Sequence, residues 1–102
     1  MHFLDESPTM LDVSYAIVEC ESEAKIFVEV MNEYHEDQTA SITILLTDQS
    51  SKAKQEITIE PFLAKRASSY WPSCNDSKFG NLIFNLNPDM NPMYTEAKVI
   101  FN

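Results

Sequence analysis

Hydrophobic and polar residues alternate with a period of two along most of this chain. The most regular run covers 40–47 (ASITILLT), where Ile42, Ile44 and Leu46 share one face. Successive side chains of a β-strand point to opposite faces, and β-branched residues suit a pleated surface. The pattern therefore predicts a strand with these three residues in the core. Further alternating runs cover 13–20, 24–31, 56–60, 67–71, 81–86 and 96–101.

Short polar turns separate these runs, and no segment shows the 3.6-residue period of an amphipathic helix. The chain has a single glycine, Gly80, so its turns are built from Asn, Asp, Ser and Pro. We therefore predict an all-β fold, a single antiparallel β-sandwich of about seven strands. Its 102 residues suit one domain over 1–102. Residues 1–12 are expected to form an irregular N-terminal arm.

The order of four segments resembles that of immunoglobulin-like modules. They are a strand that runs into an Asn and a polar turn (26–32), a second strand (41–48), a proline corner before a strand (61–71), and a late strand leading into an Asn/Asp/Pro turn (82–92). The resemblance covers most of the chain and is one of spacing. It implies an immunoglobulin-like sandwich that works as a binding or structural module. No functional residue carries over from it.

The two cysteines are predicted to be unpaired. Cys20 ends a strand before an acidic turn, and Cys74 follows Trp71 and Pro72 in a loop. Trp71 therefore does not lie in a strand between two core cysteines, as it would in antibody-type domains. A disulfide needs Cα atoms about 4.4 to 6.8 Å apart, which nothing in this placement predicts.

Neither catalysis nor a cofactor is expected. Cys20, Cys74, His2 and His35 are zinc-ligand types, but they lack the close spacing of compact zinc sites. Cys74 with His35 as a base lacks any surrounding family signature. We predict a protein that is not an enzyme and has no metal or other cofactor.

The negative charge is concentrated at one end of the chain. Of a net charge of −9, all of the excess lies in residues 1–37, which contain ten acids and one base, Lys25. Such a field repels nucleic acid and anionic lipid and favours a partner protein with a basic surface. The candidate partner-binding acids are Glu19, Glu21, Glu23, Glu29, Glu33, Glu36 and Asp37. The first four are expected to crowd one end and edge of the sandwich, with the last three near the opposite end.

Two oxygen-rich segments invite a second interpretation. Glu33, Glu36 and Asp37 have ligand types that Ca²⁺ accepts, but their spacing is not that of a calcium loop, which favours a solvated turn. The segment 85–91 carries Asn or Asp at alternate positions. These side chains are expected to cap their own backbone rather than bind an ion.

Tyr70 and Trp71 form an aromatic pair close to Lys65 and Arg66. Aromatic and cationic residues dominate the energetic centres of interfaces, so the pair is a candidate partner-binding site. The alternative places Trp71 in the core with Tyr70 facing outward.

The leading functional hypothesis is a non-enzymatic module that presents its acidic N-terminal half or a sheet edge to another protein. The alternative is a small acidic inhibitor that occupies a basic, nucleic-acid-binding site on its target. A small hydrolase or metal-dependent enzyme is a third, disfavoured class. No run reaches the ~18 to 20 apolar residues that span a bilayer, and the first residues lack the features of a secretory signal. The cellular compartment and the oligomeric state stay open.

Overall fold

The computed structural model describes residues 2–75 and 78–102, and it is all-β with two antiparallel sheets. Within those ranges the helical segments are two short 3-10 turns, Gly80–Leu82 and Pro92–Tyr94. Neither they nor any other described segment forms a helix that could cross a membrane. The strands are β1 (His2–Glu6), β2 (Leu11–Cys20), β3 (Glu23–Asn32), β4 (Gln38–Asp48), β5 (Lys54–Ala64), β6 (Ser68–Tyr70), β7 (Ile83–Asn85) and β8 (Thr95–Phe101).

The larger sheet is built around the β2–β3 hairpin. Its strand order is β1-β2-β3-β6, and β7 also pairs with β3. The hairpin pairs Leu11 with Asn32 at one end and Cys20 with Glu23 at the other. Glu21 and Ser22 form its turn with φ values of 52° and 68°. Positive φ at both central residues is typical of the two-residue turns that match strand twist.

The second sheet has the order β5-β4-β8, and its inner face packs on the larger sheet to form the core. Ile42 and Ile44 are completely buried, and Leu46 is 1% exposed, so the predicted inward face of β4 is confirmed. Ile26 and Val28 of β3 are equally buried in the facing sheet.

Each of the seven predicted runs coincides with a strand, but the irregular arm expected over 1–12 is wrong. His2–Glu6 forms β1, which pairs with β2 from Asp12 to Tyr15. Residues 11 and 12 already belong to β2. The register shifts between Phe3 and Asp5, and this irregularity breaks the clean alternation that sequence analysis needs.

The prediction of two unpaired cysteines is also wrong, because Cys20 and Cys74 form a disulfide with Cα atoms 5.6 Å apart. Cys20 lies on the outer face of the larger sheet at the hairpin end, and the connection between β6 and β7 brings Cys74 to it. Phe27 lies on the same outer face and is nevertheless only 8% exposed. The pairing could not be predicted from the sequence, because the two cysteines are 54 residues apart.

Two buried polar side chains hold the loops in place. Asn32 donates from Nδ2 to the carbonyls of Glu36 (3.0 Å) and Ala64 (2.9 Å), which fixes the β3–β4 connection. Asp48, at the end of β4, accepts hydrogen bonds from the backbone N–H groups of Ser50 (2.8 Å), Ser51 (3.2 Å) and Asn91 (2.7 Å). These hydrogen bonds tie a connection at each end of the sandwich.

Candidate functional site

Three carboxylates meet at the end of the larger sheet where β1 and β3 finish. Glu6 is the last residue of β1 and lies directly opposite Asp12 of β2. Glu33 follows β3, and its N–H donates to the carbonyl of Met10 at 3.0 Å. One carboxylate oxygen from each of Glu6, Asp12 and Glu33 lies within 4.8 Å of the other two. We call these three residues the carboxylate cluster.

The carboxylate cluster carries negative charge that its surroundings do not neutralise. Asp12 Oδ1 is buried and has no hydrogen-bond donor within the described part of the chain. Burial, together with Glu6, raises the pKa of Asp12, and hydrogen bonding to Asp12 raises the pKa of Glu33. The ion pairs found among residues 2–75 and 78–102 do not involve the cluster.

This arrangement suits a cationic group that brings its own donors. Carboxylates this close raise one another's pKa because both charges cannot easily coexist. Ca²⁺ takes six to eight oxygen ligands, more than three side chains supply as single donors. A lysine or arginine side chain needs fewer acceptors and makes short, charge-assisted hydrogen bonds to carboxylates. The cluster could therefore accept hydrogen bonds from a cationic side chain.

The opposite end of the same sheet carries Glu19, Glu21 and Glu23 around the hairpin turn, as expected. All three are exposed, and Glu23 lies 3.1 Å from Lys25 Nζ. Lys25 also donates to the Asn85 side chain. These residues form an acidic rim with one compensating cation.

Glu29 does not join the acids at the hairpin turn, contrary to expectation. It pairs with Ser14 near the middle of the hairpin and faces outward. Glu29 is six positions along β3 from Glu23, which at about 3.3 Å per residue corresponds to roughly 20 Å. Alternation places both carboxylates on the same outer face, and the distance along the strand separates Glu29 from the acids at the turn.

Glu33, Glu36 and Asp37 do not form one acidic set. Glu33 belongs to the carboxylate cluster, whereas Asp37 Oδ2 lies 3.7 Å from Lys65 Nζ and its Oδ1 accepts from the N–H of Arg66 at 2.9 Å. Glu36 Oε1 lies 4.0 Å from His35 Nε2. The geometry therefore gives no support to a calcium site made from these three acids.

In the aromatic pair, Tyr70 packs against other aromatic rings and Trp71 is exposed. This is the reverse of the alternative in which Trp71 lies in the core and Tyr70 faces outward. Tyr70 packs edge-on against Phe62 (ring centroids 5.3 Å apart) and Phe79 (5.8 Å apart), and its hydroxyl accepts from the Lys65 N–H at 2.8 Å. Trp71 is 61% exposed. Tyr70 is thus a structural residue, and Trp71 is the one that a partner can reach.

Zinc ligation and nucleophilic catalysis by the cysteines, both considered and disfavoured from the sequence, are incompatible with the disulfide. Zinc ligation and nucleophilic attack both need a thiolate, and Cys20 and Cys74 are bonded to each other. In the segment 85–91, Asn87 Oδ1 accepts from the Asp89 N–H at 3.0 Å, and Asn91 Oδ1 accepts from the Met93 N–H at 2.9 Å. The prediction that these side chains cap their own backbone is confirmed for Asn87 and Asn91, whereas the side chain of Asn85 accepts from Lys25 instead.

Sequence reasoning missed Glu6 and Asp12 as site residues. They lie in 1–12, where no strand was predicted, so nothing placed them opposite each other. The signal that could have found them is the weak alternation of HFLDE, followed by a turn before the next strand.

The chain matches no family model, no curated protein and no solved structure in the three comparisons.

Proposed function

We propose that this chain is a non-enzymatic, immunoglobulin-like protein-binding module that presents an acidic surface of its larger sheet to a basic partner protein. The strand connections support the immunoglobulin-like part of this proposal. The chain changes sheets after β3, β5 and β7, and β3 pairs with β6 and β7 while β4 pairs with β8. In immunoglobulin domains, strands B and E are neighbours in one sheet and C and F in the other. In this comparison β3 takes the place of B, β6 and β7 that of E, β4 that of C and β8 that of F.

The observation that carries the functional part is the carboxylate cluster. Like charges directly opposite on neighbouring strands lower stability, and Glu6 faces Asp12 in this way. Glu33 adds a third carboxylate, and Asp12 Oδ1 is buried without a donor. A fold has no need of such an arrangement. A cationic side chain from a partner, bound to the exposed carboxylates of Glu6 and Glu33, would supply the opposite charge.

Binding of this kind has a recognisable dependence on salt. Electrostatic attraction between complementary surfaces speeds association and weakens as ions screen it. The screening length falls from about 30 Å at 0.01 M to about 8 Å at 0.15 M ionic strength. Affinity for the partner should therefore fall over this range, and a partner found in this way should be basic.

The test is affinity capture from an extract of the source cells with the tagged protein, quantified by mass spectrometry at low and at physiological salt. The informative variant is Glu6→Gln/Glu33→Gln, which removes two exposed members of the cluster. Its matched control is Glu56→Gln/Glu60→Gln, which removes the same charge from exposed positions on β5. We expect a basic protein to be retained by the parent and the control and to be lost with the cluster variant.

Equal retention by all three proteins would overturn the proposal. The inhibitor alternative is separated by a second measurement on the captured protein. If duplex DNA competes with this chain for one site on that protein, the acidic surface acts as a substitute for nucleic acid. If DNA has no effect, the chain is an ordinary binding module.

A further inference from the structure

Three depressions lie side by side beneath the β2–β3 turn. Their volumes are about 460, 390 and 360 Å³. Ala24 lines the first and the second, and Ile17 and Pro92 line the second and the third. The shared lining residues place the three depressions in a row between the hairpin and the segment 85–95. We call this row of depressions the hairpin groove.

The floor of the hairpin groove is mainly apolar in its first part, whereas its far part also contains polar groups, among them His2. Leu86 and Met90, both buried, line its first part, and Ile17 lines the middle. Met93 lies at the far end with 84% of its surface exposed. Methionine is flexible and polarizable, and it is common on surfaces that adapt to a bound chain.

The rim of the hairpin groove is acidic. Glu23 lines its first part and Glu19 its second, with Glu21 between them in the turn. Tyr15 lies at the far end of the groove, and its pKa is raised, first by burial and second by the negative charge of Glu96. Lys25 offsets only part of this charge through its ion pair with Glu23.

The strand beside the hairpin groove has an open edge. β1 pairs with β2 only as far as Tyr15, so among the residues described here 17–20 have a strand neighbour, β3, on one side alone. Cys74 lies against the end of this edge, with its Sγ 4.0 Å from the carbonyl oxygen of Glu19, so the open part is at residues 17 and 18. An exposed strand edge presents backbone donors and acceptors that an extended peptide can use, while pockets receive its alternate side chains.

We propose that the hairpin groove binds an extended, basic segment of the partner protein, with alternate apolar side chains in the groove and Lys or Arg side chains at the acidic rim. This inference rests on the proposed function, because it specifies the segment by which a basic partner would be held. The acidic rim is complementary to the Lys and Arg side chains of the segment. The apolar part of the floor is complementary to the apolar side chains at its alternate positions.

The test uses a fluorescent peptide of alternating residues, Lys-Val-Lys-Leu-Lys-Val-Lys, with the whole folded chain. A second peptide replaces the apolar residues by Ser and keeps the charge. Binding is measured by anisotropy at low and at physiological salt. Backbone amide NMR shifts then map the contact, and we expect the largest shifts at Ile17, Ala24 and Met93.

Two variant pairs separate the floor from the rim. Met93→Ser should weaken binding of the apolar peptide about fivefold to tenfold, a typical effect of losing a hydrophobic anchor. Its control is Leu63→Ser, which removes another exposed apolar side chain from β5. Glu19→Gln/Glu23→Gln should weaken both peptides at low salt, whereas Glu56→Gln/Glu60→Gln should do so much less.

Equal affinities for the two peptides, with no effect of Met93→Ser, would overturn the hairpin groove and leave a purely electrostatic surface. Shifts located at Glu6, Asp12 and Glu33 instead would assign basic segments to the carboxylate cluster and also reject this inference. If neither peptide binds while the capture experiment still retains a partner through the cluster, this inference alone fails. If that capture fails as well, the proposed function fails with it.

Discussion

Asp12 and Asp48 are both aspartates near the ends of strands, yet their surroundings are opposite. Asp48 is 1% exposed, and both of its oxygens accept hydrogen bonds, four in all, from Ser50, Ser51 and Asn91. Those donors hold its pKa well below the usual range. Asp12 faces two further carboxylates, has one oxygen without a donor, and has a raised pKa.

The difference separates a carboxylate whose charge the fold stabilises from one whose charge the fold leaves unstabilised. Donors around Asp48 are backbone and hydroxyl groups of the same chain, so its charge is already stabilised and nothing external is needed. Asp12 is held by strand pairing in a position where its charge is unfavourable. We call the end of the sandwich near Asp48 the tied end and the end with the carboxylate cluster the unsatisfied end. The stability of the two ends can be compared by mutation.

Removal of the disulfide should have the largest effect, because it releases the tied end. The bond closes a loop with a sequence separation of 54 residues. Chain-entropy estimates for a loop of that size give about 4 kcal/mol. Urea unfolding of Cys20→Ser/Cys74→Ser should show this decrease in the free energy of unfolding. Alkylation of the unreduced parent should modify neither cysteine. A loss below about 1 kcal/mol would show that the tied end does not depend on this bond.

Asp48→Asn should have a smaller effect that depends on pH. The lowered pKa means that Asp48 stabilises the fold above its ordinary value of 3.8, and that this stability is lost as pH falls through the folded-state pKa. The parent should therefore lose stability below about pH 4. The variant should be less stable at neutral pH and lose less on acidification.

Ile44→Ala is the matched control for Asp48→Asn. It should cost about 2 to 5 kcal/mol, as other large-to-small core substitutions do, and keep the pH slope of the parent. An unchanged acid slope in Asp48→Asn would contradict the role assigned to these hydrogen bonds.

Asp12→Asn should have the smallest effect and the opposite sign. Replacing one of two facing like charges should raise the free energy of unfolding by roughly 0.2 to 1 kcal/mol at neutral pH. Because the folded-state pKa of Asp12 is raised, the parent should gain stability from this group as pH falls through that value toward 3.8. The variant should lack this gain, and thermal unfolding between pH 7 and pH 4 would measure it. A variant less stable than the parent would mean that Asp12 serves the fold after all.

Local pattern was sufficient for strands β2 to β8 and for the inward face of β4, but not for β1. Ile42, Ile44 and Leu46 could be assigned because alternation is a property of neighbouring residues. The carboxylate cluster could not be predicted in the same way. It needs the pairing of β1 with β2 and the position of Glu33 after β3, and such pairings depend on residues distant in sequence.

The same limit explains the wrong prediction for the cysteines and why the orientation of the aromatic pair could not be predicted. Cys74 follows β6 and reaches Cys20 on the outer face of the larger sheet. The sequence does not show which face of a sheet a connection will cover. Tyr70 and Trp71 are adjacent, and alternation alone says that they point to opposite faces. Which one packs inward depends on Phe62 and Phe79, supplied by other parts of the chain.

By itself, the sequence determined the all-β class, the positions of most strands and the concentration of acid in residues 1–37. Those properties follow from side-chain shape, spacing and charge, which act locally. The tertiary structure alone decided which acids gather into the carboxylate cluster, which are neutralised and which line the hairpin groove. The reason is that the energy of a charge is set by its neighbours in space, and strand pairing brings together residues that the chain keeps apart.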